Sequence, residues 1–542
     1  MKRQNIALFL FVAGSLWLSP CVWANNIAVS NATITSQSTA NQTANVQFDI
    51  TWSNSWRNVI NYDAAWVFVK YSTDGGTTWN HATLKASGGT ATSSGNGIIN
   101  PTGYSGGSGT ALDIIVPTEA TSGKKGAFVQ RTANGTGTVT TTGVQVVWDW
   151  NADGLTAATT AKVKVFAIEM VYIPQGSFYA GTPTANAGGL TGYFFGGGTA
   201  LPYQITSEGA ITIANSAGNL YYANVGGNVG DGAGSLATNV SGGGFPKGYS
   251  AFYIMKYEIT QGQYRDFLNT LTRTQQAARV ATNVAAGQTA IVNVFVMNNV
   301  STPPNRNGIR VLSPIPAAGP ITFGCDLGNT GVLNGASGGE WIAANFLSWA
   351  DLVAYTAWAG LRPFTELEYE KAARGTAAVV DGEGAWGSTT TTGATSIVNG
   401  GMVNEVAGQT GTGLCVYNNA GSVQGPMRVG MAATNSTTRA QAGAGYYGAM
   451  DLSGNVWERP VSVGNATGRG FIGSNGTGVL NASGDATNAD WPVPATASGA
   501  GFRGGAWADS SSYVRVSARY YAASVDATRS IYVGGRCSRA SP

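Results

Sequence analysis

Alternating apolar and polar residues mark strands in the first part of the chain. Residues 46–52 alternate in this way, as a half-buried strand does, whereas residues 64–71 form a more continuous apolar run that indicates a buried strand. Residues 138–150 predict a strand pair, and residues 161–167 predict a final strand. Together these patterns predict an all-β sandwich domain over residues 26–167.

Helical patterns join the strands in the rest of the chain. A strand is predicted over residues 252–260, and the three predicted helices that follow each begin with a capping box. The capping boxes pair Thr260 with Gln263, Ser348 with Asp351, and Thr365 with Glu368. Gly360 and Gly375 mark the ends of the second and third helices. An α+β domain is therefore predicted over residues 168–542.

A long insertion and acidic helix starts complete the prediction for this second domain. Residues 181–245 are rich in Gly, Ala and Asn and predict hairpins and loops. Glu366, Glu368 and Glu370 lie at or near a helix start, where capping and the helix dipole favour acidic side chains. No catalytic role is assigned to these three residues.

The N-terminal residues 1–24 have the features of a signal peptide. A basic start precedes an apolar run over residues 6–18, and Val22-Trp23-Ala24 supplies a cleavage signal. Lipidation at Cys21 is the second alternative, because Pro20 is unfavourable beside a lipoprotein cysteine. No later stretch is long and apolar enough to span a bilayer. We expect an exported protein that is periplasmic, bound to the cell surface or secreted.

Composition excludes several classes of function. Charged residues make up 11% of the 542 residues and the net charge is +3, so no nucleic-acid partner is expected. The one histidine, His81, excludes a Ser-His-Asp triad and histidine metal clusters, and it is expected on the surface of a strand. After cleavage Cys325, Cys415 and Cys537 remain, which allow at most one internal disulfide, and their spacing excludes a cysteine zinc site.

Two short motifs in the first domain resemble functional loops but predict turns. Residues 72–79 fit the Asp-box pattern of sialidase-like propellers, in which Asp74 bonds backbone amides and Trp79 packs. A propeller would repeat the motif in each blade, and it occurs once here. Residues 149–154 resemble half of a calcium loop, for which a polar turn is the stronger interpretation.

The last forty residues or so alternate between two kinds of position. The scaffold residues, which have the character of a structural frame, are Gly504, Gly505, Trp507, Arg519, Gly534, Gly535 and Arg536. Small or amphipathic residues, many of them Tyr and Ser, lie between them. Tyr supplies rigid contact area and Ser supplies adaptable hydrogen bonds, a combination typical of binding surfaces.

Several motifs of the second domain resemble the formylglycine-generating enzyme (sulfatase-modifying factor) family, in the same order along the chain. The motifs are Met170-Val-Tyr-Ile-Pro-Gln-Gly-Ser-Phe178, residues 252–260, residues 348–375, Leu452-Ser-Gly-Asn-Val-Trp-Glu458 and Arg503-Gly-Gly-Ala-Trp507. The resemblance implies a C-type-lectin-like fold with few regular elements and much loop.

The same resemblance implies a non-catalytic member of the family. The enzymes place two reactive cysteines, five residues apart, just after the Gly-Gly-Ser-aromatic motif, and those thiolates bind copper. Asp509 and Val514 hold the matching positions here, and neither can serve as a redox thiol. The related iron-dependent sulfoxide synthases need a histidine cluster, which the chain lacks.

A second resemblance is to variable proteins of diversity-generating retroelements, which use this fold to display a randomised binding surface. Residues 501–537 share the frame of their variable segment and the residue types that adenine-directed mutagenesis of Asn codons produces. The candidate positions for ligand binding are Ala506, Ala508, Asp509, Ser512, Tyr513, Tyr520, Tyr521, Ser524, Ser530, Ile531 and Tyr532.

A structural calcium ion is an optional cofactor that the family resemblance implies, and no cofactor is required. Asn455 and Glu458 are the candidate ligands, because closely spaced oxygen ligands suit a hard cation. The alternative is that both side chains only bond backbone amides.

These observations predict an exported, non-enzymatic binding protein with a protein or surface ligand. An exported modifying oxidase of the same family and a structural surface adhesin are the alternatives. An oxidase needs a copper or thiol site, whereas an adhesin predicts no well-formed concave surface at the C-terminal segment.

Overall fold

The computed structural model describes residues 26–86, 100–119, 123–156, 161–183, 192–222, 227–239, 242–312, 314–434 and 436–542. The predicted signal peptide and Cys21 lie outside the described residues. Within those ranges no helix has the length and apolar character needed to cross a membrane.

Among the described residues both helices and strands occur and strands are the more numerous, which is consistent with the predicted α+β class. The strands before residue 250 are β1 (Ala28–Ser38), β2 (Thr43–Arg57), β3 (Asp63–Ser72), β4 (Asn80–His81), β5 (Ser108–Gly109), β6 (Leu112–Ile115), β7 (Ala127–Arg131), β8 (Gly135–Asp149), β9 (Lys162–Ile173), β10 (Phe178–Ala180), β11 (Phe195–Gly196), β12 (Tyr203–Ile205), β13 (Ile211–Ile213), β14 (Leu220–Tyr221) and β15 (Gly234–Leu236). The later strands are β16 (Phe252–Met255), β17 (Val294–Phe295), β18 (Ile309–Val311), β19 (Gly324–Cys325), β20 (Thr392–Gly393), β21 (Ile397–Val398), β22 (Val406–Ala407), β23 (Leu414–Cys415) and β24 (Ser538–Ala540). The helices are α1 (Gln261–Leu268), α2 (Arg273–Arg279), α3 (Trp349–Trp358), α4 (Glu366–Arg374) and α5 (Ala466–Arg469).

Two sheets form the predicted sandwich. The first has the order β1-β2-β8-β5, and the second has the order β24-β16-β9-β3-β7-β6 with β4 beside β3. Phe48 and Trp52 of the first sheet pack against Val67 and Val129 of the second, and all four side chains are buried. The core of the sandwich lies between these two faces.

The second sheet continues beyond the predicted domain boundary. Strand β9 spans the boundary at residues 167 and 168, and it pairs with β3 on one side and with β16 on the other. Its two faces are both apolar: Val165 joins the sandwich core, whereas Ile168 and Met170 join a core shared with the helices. A strand with two apolar faces has to be covered on both sides, so the two predicted domains share one sheet.

The predicted capping boxes are confirmed at α1, α3 and α4. In each helix the N-cap hydroxyl accepts the N3 backbone N–H, and the N3 side chain accepts the N-cap N–H. Helix α2 was not predicted, although Thr272 and Gln275 form a capping box of the same kind. The described residues of the insertion include short strands, of which β11, β13, β14 and β15 form one sheet and β12 pairs with β10 just before the insertion.

Asp74 forms the predicted turn, whereas His81 differs from its prediction. The Asp74 carboxylate accepts the backbone N–H groups of Thr77 at 3.0 Å and Thr78 at 2.9 Å. The prediction that His81 is a surface residue is wrong, because its ring is buried at the end of α3. One ring nitrogen lies 3.3 Å from the carbonyl oxygen of Trp358, which also accepts the ammonium group of Lys70, and the other lies 2.5 Å from the carbonyl oxygen of Lys125.

Candidate functional site

The C-terminal stretch is held to the rest of the molecule by single bridges rather than by long strands. The N–H of Glu458 donates to the carbonyl of Arg503 at 3.0 Å, and the N–H of Trp457 donates to that of Tyr532 at 2.8 Å. Most of residues 501–537 are turns and irregular backbone. Other interactions must therefore fix the shape of this segment.

Buried ion pairs attach the C-terminal segment to helix α4. Arg503 binds Glu366 at 2.9 Å and Glu370 at 2.5 Å, and Arg519 binds Glu366 at 2.7 Å. Burial alone would raise the pKa of Glu366, but the charges and hydrogen bonds of Arg519 and Arg503 outweigh it and lower the pKa. Glu366 and Glu370 are thus anchors for the C-terminal segment, a role that capping alone does not describe.

Two further arginines of the segment are held in the same way. Arg529 binds Asp351 of α3 at 2.7 Å, and Arg536 binds Glu458 at 2.5 Å. Each contact joins a guanidinium to a carboxylate that is itself buried. Because such pairs have a fixed geometry, they place the intervening turns at defined positions.

Glycine allows close packing at two points of the frame. A Cβ at Gly534 would lie 2.5 Å from Cγ2 of Val456 and 2.6 Å from the carbonyl oxygen of Ala344. Gly505 has a φ of +73°, and a Cβ there would lie 3.0 Å from Cγ1 of Val514. Any larger residue would push the segment away from its support.

Exposure separates the two kinds of position that the sequence predicted. All seven scaffold residues are buried, whereas every candidate position except Ala506 is partly or largely exposed. Tyr532 is exposed, and the partly exposed candidates are Ala508, Asp509, Ser512, Tyr513, Tyr520, Tyr521, Ser524, Ser530 and Ile531. The segment therefore combines a buried frame with an outward set of small, polar and aromatic side chains.

Ala506 is the exception among the candidate positions. Its side chain is fully buried and packs in one apolar cluster with Trp507 and Leu414. Its N–H donates to the carboxylate of Asp509 at 2.8 Å. Ala506 cannot contact a ligand through its side chain because the turn after Gly505 points it inward.

Three of the predicted tyrosines meet around a tryptophan. The rings of Tyr513 and Tyr521 are stacked with centroids 5.8 Å apart, and Tyr520 meets Tyr521 edge-on at 4.8 Å. Trp457 lies 5.8 Å from both Tyr513 and Tyr521 and is perpendicular to them. We call Trp457, Tyr513, Tyr520 and Tyr521 the aromatic cluster; Tyr532 packs instead on Trp507 at 5.4 Å.

Asp509 lies beside the aromatic cluster. One carboxylate oxygen accepts the N–H of Ala506, and the indole of Trp457 donates a further hydrogen bond to the carboxylate. Burial raises the pKa of Asp509, and these two hydrogen bonds oppose that rise. The carboxylate adds a polar, acidic group at the edge of an apolar surface.

Loops from distant parts of the chain complete the surface, and the sequence analysis did not identify them. Asn228 exchanges backbone hydrogen bonds with Tyr520 and Ala523, each 2.7 Å long. Asn418 and Asn419 donate their N–H groups to the carbonyls of Asp509 and Trp507 at 2.8 Å. The only local signal was a pair of adjacent asparagines, a residue type that tolerates positive φ.

The two candidate calcium ligands are engaged by protein partners. Asn455 accepts the N–H of Met427 at 2.9 Å and donates to Glu258 at 2.5 Å, and Glu458 binds Arg536. No group of three or more His, Cys, Asp or Glu side chains that could hold a metal occurs in the described part of the chain. One buried oxygen of Glu458 has no hydrogen-bond partner among the described residues of the protein, and calcium binding at this pair stays a prediction.

The cysteines are buried and remain thiols. Cys325, Cys415 and Cys537 are all free, so the disulfide that the count permitted does not form. Burial raises the pKa of Cys325 and of Cys537 to about 12, and it also raises the pKa of Cys415. Thiols of this kind carry little of the thiolate that copper binding or oxidation needs.

Two clefts lie between the sandwich and the helical part. A cleft of about 720 Å³ is lined by Trp56, Tyr446 and Tyr447 among others, and one of about 530 Å³ lies between β9 and α1. None of the eleven candidate positions lines either cleft. The site that the sequence predicted is an open surface rather than a deep pocket.

A comparison with protein families supports four of the five motifs behind the family resemblance, since the motif at residues 170–178 precedes the matched range. The model of the sulfatase-modifying factor enzyme 1-like domain matches residues 246–541, more than half of the chain. The chain belongs to this family. The matched range contains α1 to α5 and the whole C-terminal surface of this sulfatase-modifying factor-like protein, but β9 precedes it. The comparison with curated proteins gave no match.

Proposed function

We propose that this protein is an exported, non-enzymatic binding protein that presents residues 506–532 to a protein or surface ligand. One observation carries the proposal: a buried frame alternates with exposed Tyr, Ser and Asp side chains over a single segment. Clustered exposed aromatics commonly mark interaction sites, and Tyr is enriched among residues that dominate binding energy.

The proposal includes a C-type-lectin-like fold and a likeness to the variable proteins of diversity-generating retroelements. The frame is fixed by arginine–carboxylate pairs and by close glycine contacts, and the exposed positions contribute little to either. Such a segment tolerates many side chains at its exposed positions without losing its shape. Neither calcium nor any other cofactor is required for this role.

A four-site variant tests the binding role. We expect the combined Tyr→Ala changes at 513, 520, 521 and 532 to leave the melting temperature nearly unchanged, since these side chains lie outside the frame. Peptides selected on the wild-type protein from a phage-displayed library of random dodecapeptides should lose binding to this variant. Trp507→Ala is the control for the frame and should unfold the domain. A four-site variant that unfolds in the same way would make the tyrosines part of the core and remove the proposal's support.

The oxidase alternative is tested separately. We expect no aldehyde product when the copper-loaded protein is incubated with a cysteine-containing sulfatase peptide and the mixture is followed by mass spectrometry. The reason is that Asp509 and Val514 hold the positions of the reactive cysteines, while the three thiols present are buried. Copper-dependent conversion of the peptide would establish the enzyme instead.

A further inference from the structure

We propose that the C-terminal surface selects a protein segment that places an Arg or Lys side chain over the aromatic cluster and against Asp509. This inference rests on the proposed function and adds the chemistry of the ligand. It is carried by the charge at Asp509, by the charges around it and by the faces of the neighbouring rings.

Asp509 has neutral partners only. Its carboxylate accepts the N–H of Ala506 and the indole N–H of Trp457, and neither donor carries a charge. No Lys or Arg among the described residues forms an ion pair with it. The side chain is partly exposed, so the carboxylate can still reach a cation from outside the protein.

Four of the five arginines in residues 501–537 form ion pairs with buried carboxylates. Arg503, Arg519, Arg529 and Arg536 each bind a buried carboxylate on the inner side of the frame. Arg515 forms a hydrogen bond with Tyr193. The acidic side chains of the segment, by contrast, lie at the surface.

Asp526 is the second acidic residue of the segment, but its charge is partly offset within the protein. Its side chain is exposed and its carboxylate accepts the N–H and hydroxyl of Thr528, while its charge also acts on the buried Arg459. Its backbone carbonyl accepts the buried guanidinium of Arg459 at 2.9 Å, which fixes its position. Asp509 is thus the acid that lies beside the aromatic cluster without a charged partner among the described residues, and it complements a cationic ligand.

The tyrosine rings favour the same kind of ligand. A guanidinium or ammonium group is attracted to the face of an aromatic ring, and Arg stacks well on such faces. Tyr513 lies near enough to Asp509 for the two groups to interact electrostatically. Tyr513 and Tyr521 are both partly exposed, and each packs edge-on against Trp457. A cationic side chain can therefore contact a ring and the carboxylate at once, whereas an acidic side chain would be repelled.

Selection of peptides tests the inference. Random dodecapeptides displayed on phage are panned on the full-length mature protein, and clones that also bind the four-site Tyr→Ala variant are discarded. We expect the retained peptides to be enriched in Arg or Lys. The strongest peptide is then synthesised with each cationic residue in turn replaced by Gln, and its Kd is measured by calorimetry.

The variants connect the peptide to Asp509. We expect Asp509→Asn and the critical peptide substitution each to weaken binding at least tenfold, and the two together to cost little more than either alone. Asp149→Asn, which makes the same change of charge in the first sheet, should leave the Kd within twofold. Binding to the wild-type protein should also weaken as NaCl rises from 50 to 500 mM.

Other outcomes would overturn either the cationic ligand alone or the proposed binding function as well. Peptides that need the tyrosines but are neutral or acidic, or that bind Asp509→Asn as tightly as the wild type, overturn the cationic ligand and leave the proposed function standing. A library that yields no peptide dependent on the four tyrosines overturns both. If Asp509→Asn melts early, the Gln replacements in the peptide decide the question without it.

Discussion

At the residue scale, buried arginine–carboxylate pairs fix the C-terminal segment. Glu366 is the most heavily used, since it binds Arg503 and Arg519 and also accepts the N–H of Val463 at 2.8 Å. All three ionic groups are fully buried. Removing the carboxylate charge would leave two positively charged guanidinium groups buried without enough negative charge to balance them.

Glu366→Gln tests this anchor. The side chain keeps its size but loses its charge, and breaking a buried pair in this way costs about 3–5 kcal/mol of unfolding free energy. Urea unfolding followed by fluorescence measures the loss. Glu340→Gln, which affects a partly exposed pair with Arg265, is the matched control and should cost at most about 1 kcal/mol. Equal losses in the two variants would contradict the anchoring role.

The loss of unfolding free energy in Glu366→Gln depends on pH, and the pKa of Glu366 gives the direction. Its pKa is lowered in the folded protein from an ordinary value of 4.5, because Arg519 and Arg503 outweigh the effect of burial. The carboxylate therefore stabilises the fold fully above pH 4.5, and this stabilisation is lost as the pH falls through the lower folded pKa. The difference in unfolding free energy between the wild type and Glu366→Gln should therefore become smaller as urea unfolding is repeated at lower pH.

At the scale of the element, the segment after Tyr532 passes close beneath two other pieces of chain. Gly534 lies against Val456, the neighbour of Trp457 in the aromatic cluster, and against the backbone of Ala344. The backbone carbonyl cannot move aside as a flexible side chain could. The position of the aromatic cluster thus depends on a contact several residues away.

Gly534→Ala should destabilise the protein by about 1–3 kcal/mol, as overpacking of a filled core does. Gly243→Ala is the control, because a Cβ there meets nothing within 4 Å. Thermal unfolding gives the stabilities, and binding of the selected peptide reports the shape of the surface. We expect Gly534→Ala to lower the melting temperature and to weaken binding of the selected peptide. An unchanged melting temperature would show that the residues around Gly534 can shift to accept a Cβ.

At the scale of the whole molecule, one sheet joins the sandwich to the helical part. Strand β16 pairs with β9 through Phe252 and Ile173, while β24 covers its other edge. Trp66 of β3 donates its indole N–H to the carbonyl of Ala359 at the end of α3, at 2.8 Å. The part that matches the family thus depends on strands from outside the match.

A shortened chain tests that dependence. Residues 246–542 alone lack β9 and β3, so β16 would have an open edge and the face that covers α3 would be missing. We expect this fragment to aggregate or to remain unfolded, while residues 26–542 melt in one cooperative transition. Circular dichroism and size-exclusion chromatography distinguish the cases. A soluble fragment that melts at the temperature of the longer chain would show two independent domains.

The sequence by itself determined the features that are formed by residues close together in the chain. The capping boxes at Thr260, Ser348 and Thr365 and the turn at Asp74 were predictable because each is made by residues within a few positions of one another. The alternation of scaffold and exposed residues in 501–537 was predictable for all candidates but Ala506, since Gly, Trp and Arg mark a frame in a segment otherwise made of small and polar residues.

Only the tertiary structure decided the features that join distant residues. The burial of His81, the anchoring of Arg519 by Glu366 and the edge-on contact of Trp457 with Tyr513 and Tyr521 each involve partners far apart in the chain. Strand β9 could be recognised from its alternation. That its second apolar face packs in one core with α3 is visible only in the structure. Contacts over such separations depend on how the layers pack, and no local pattern records that packing.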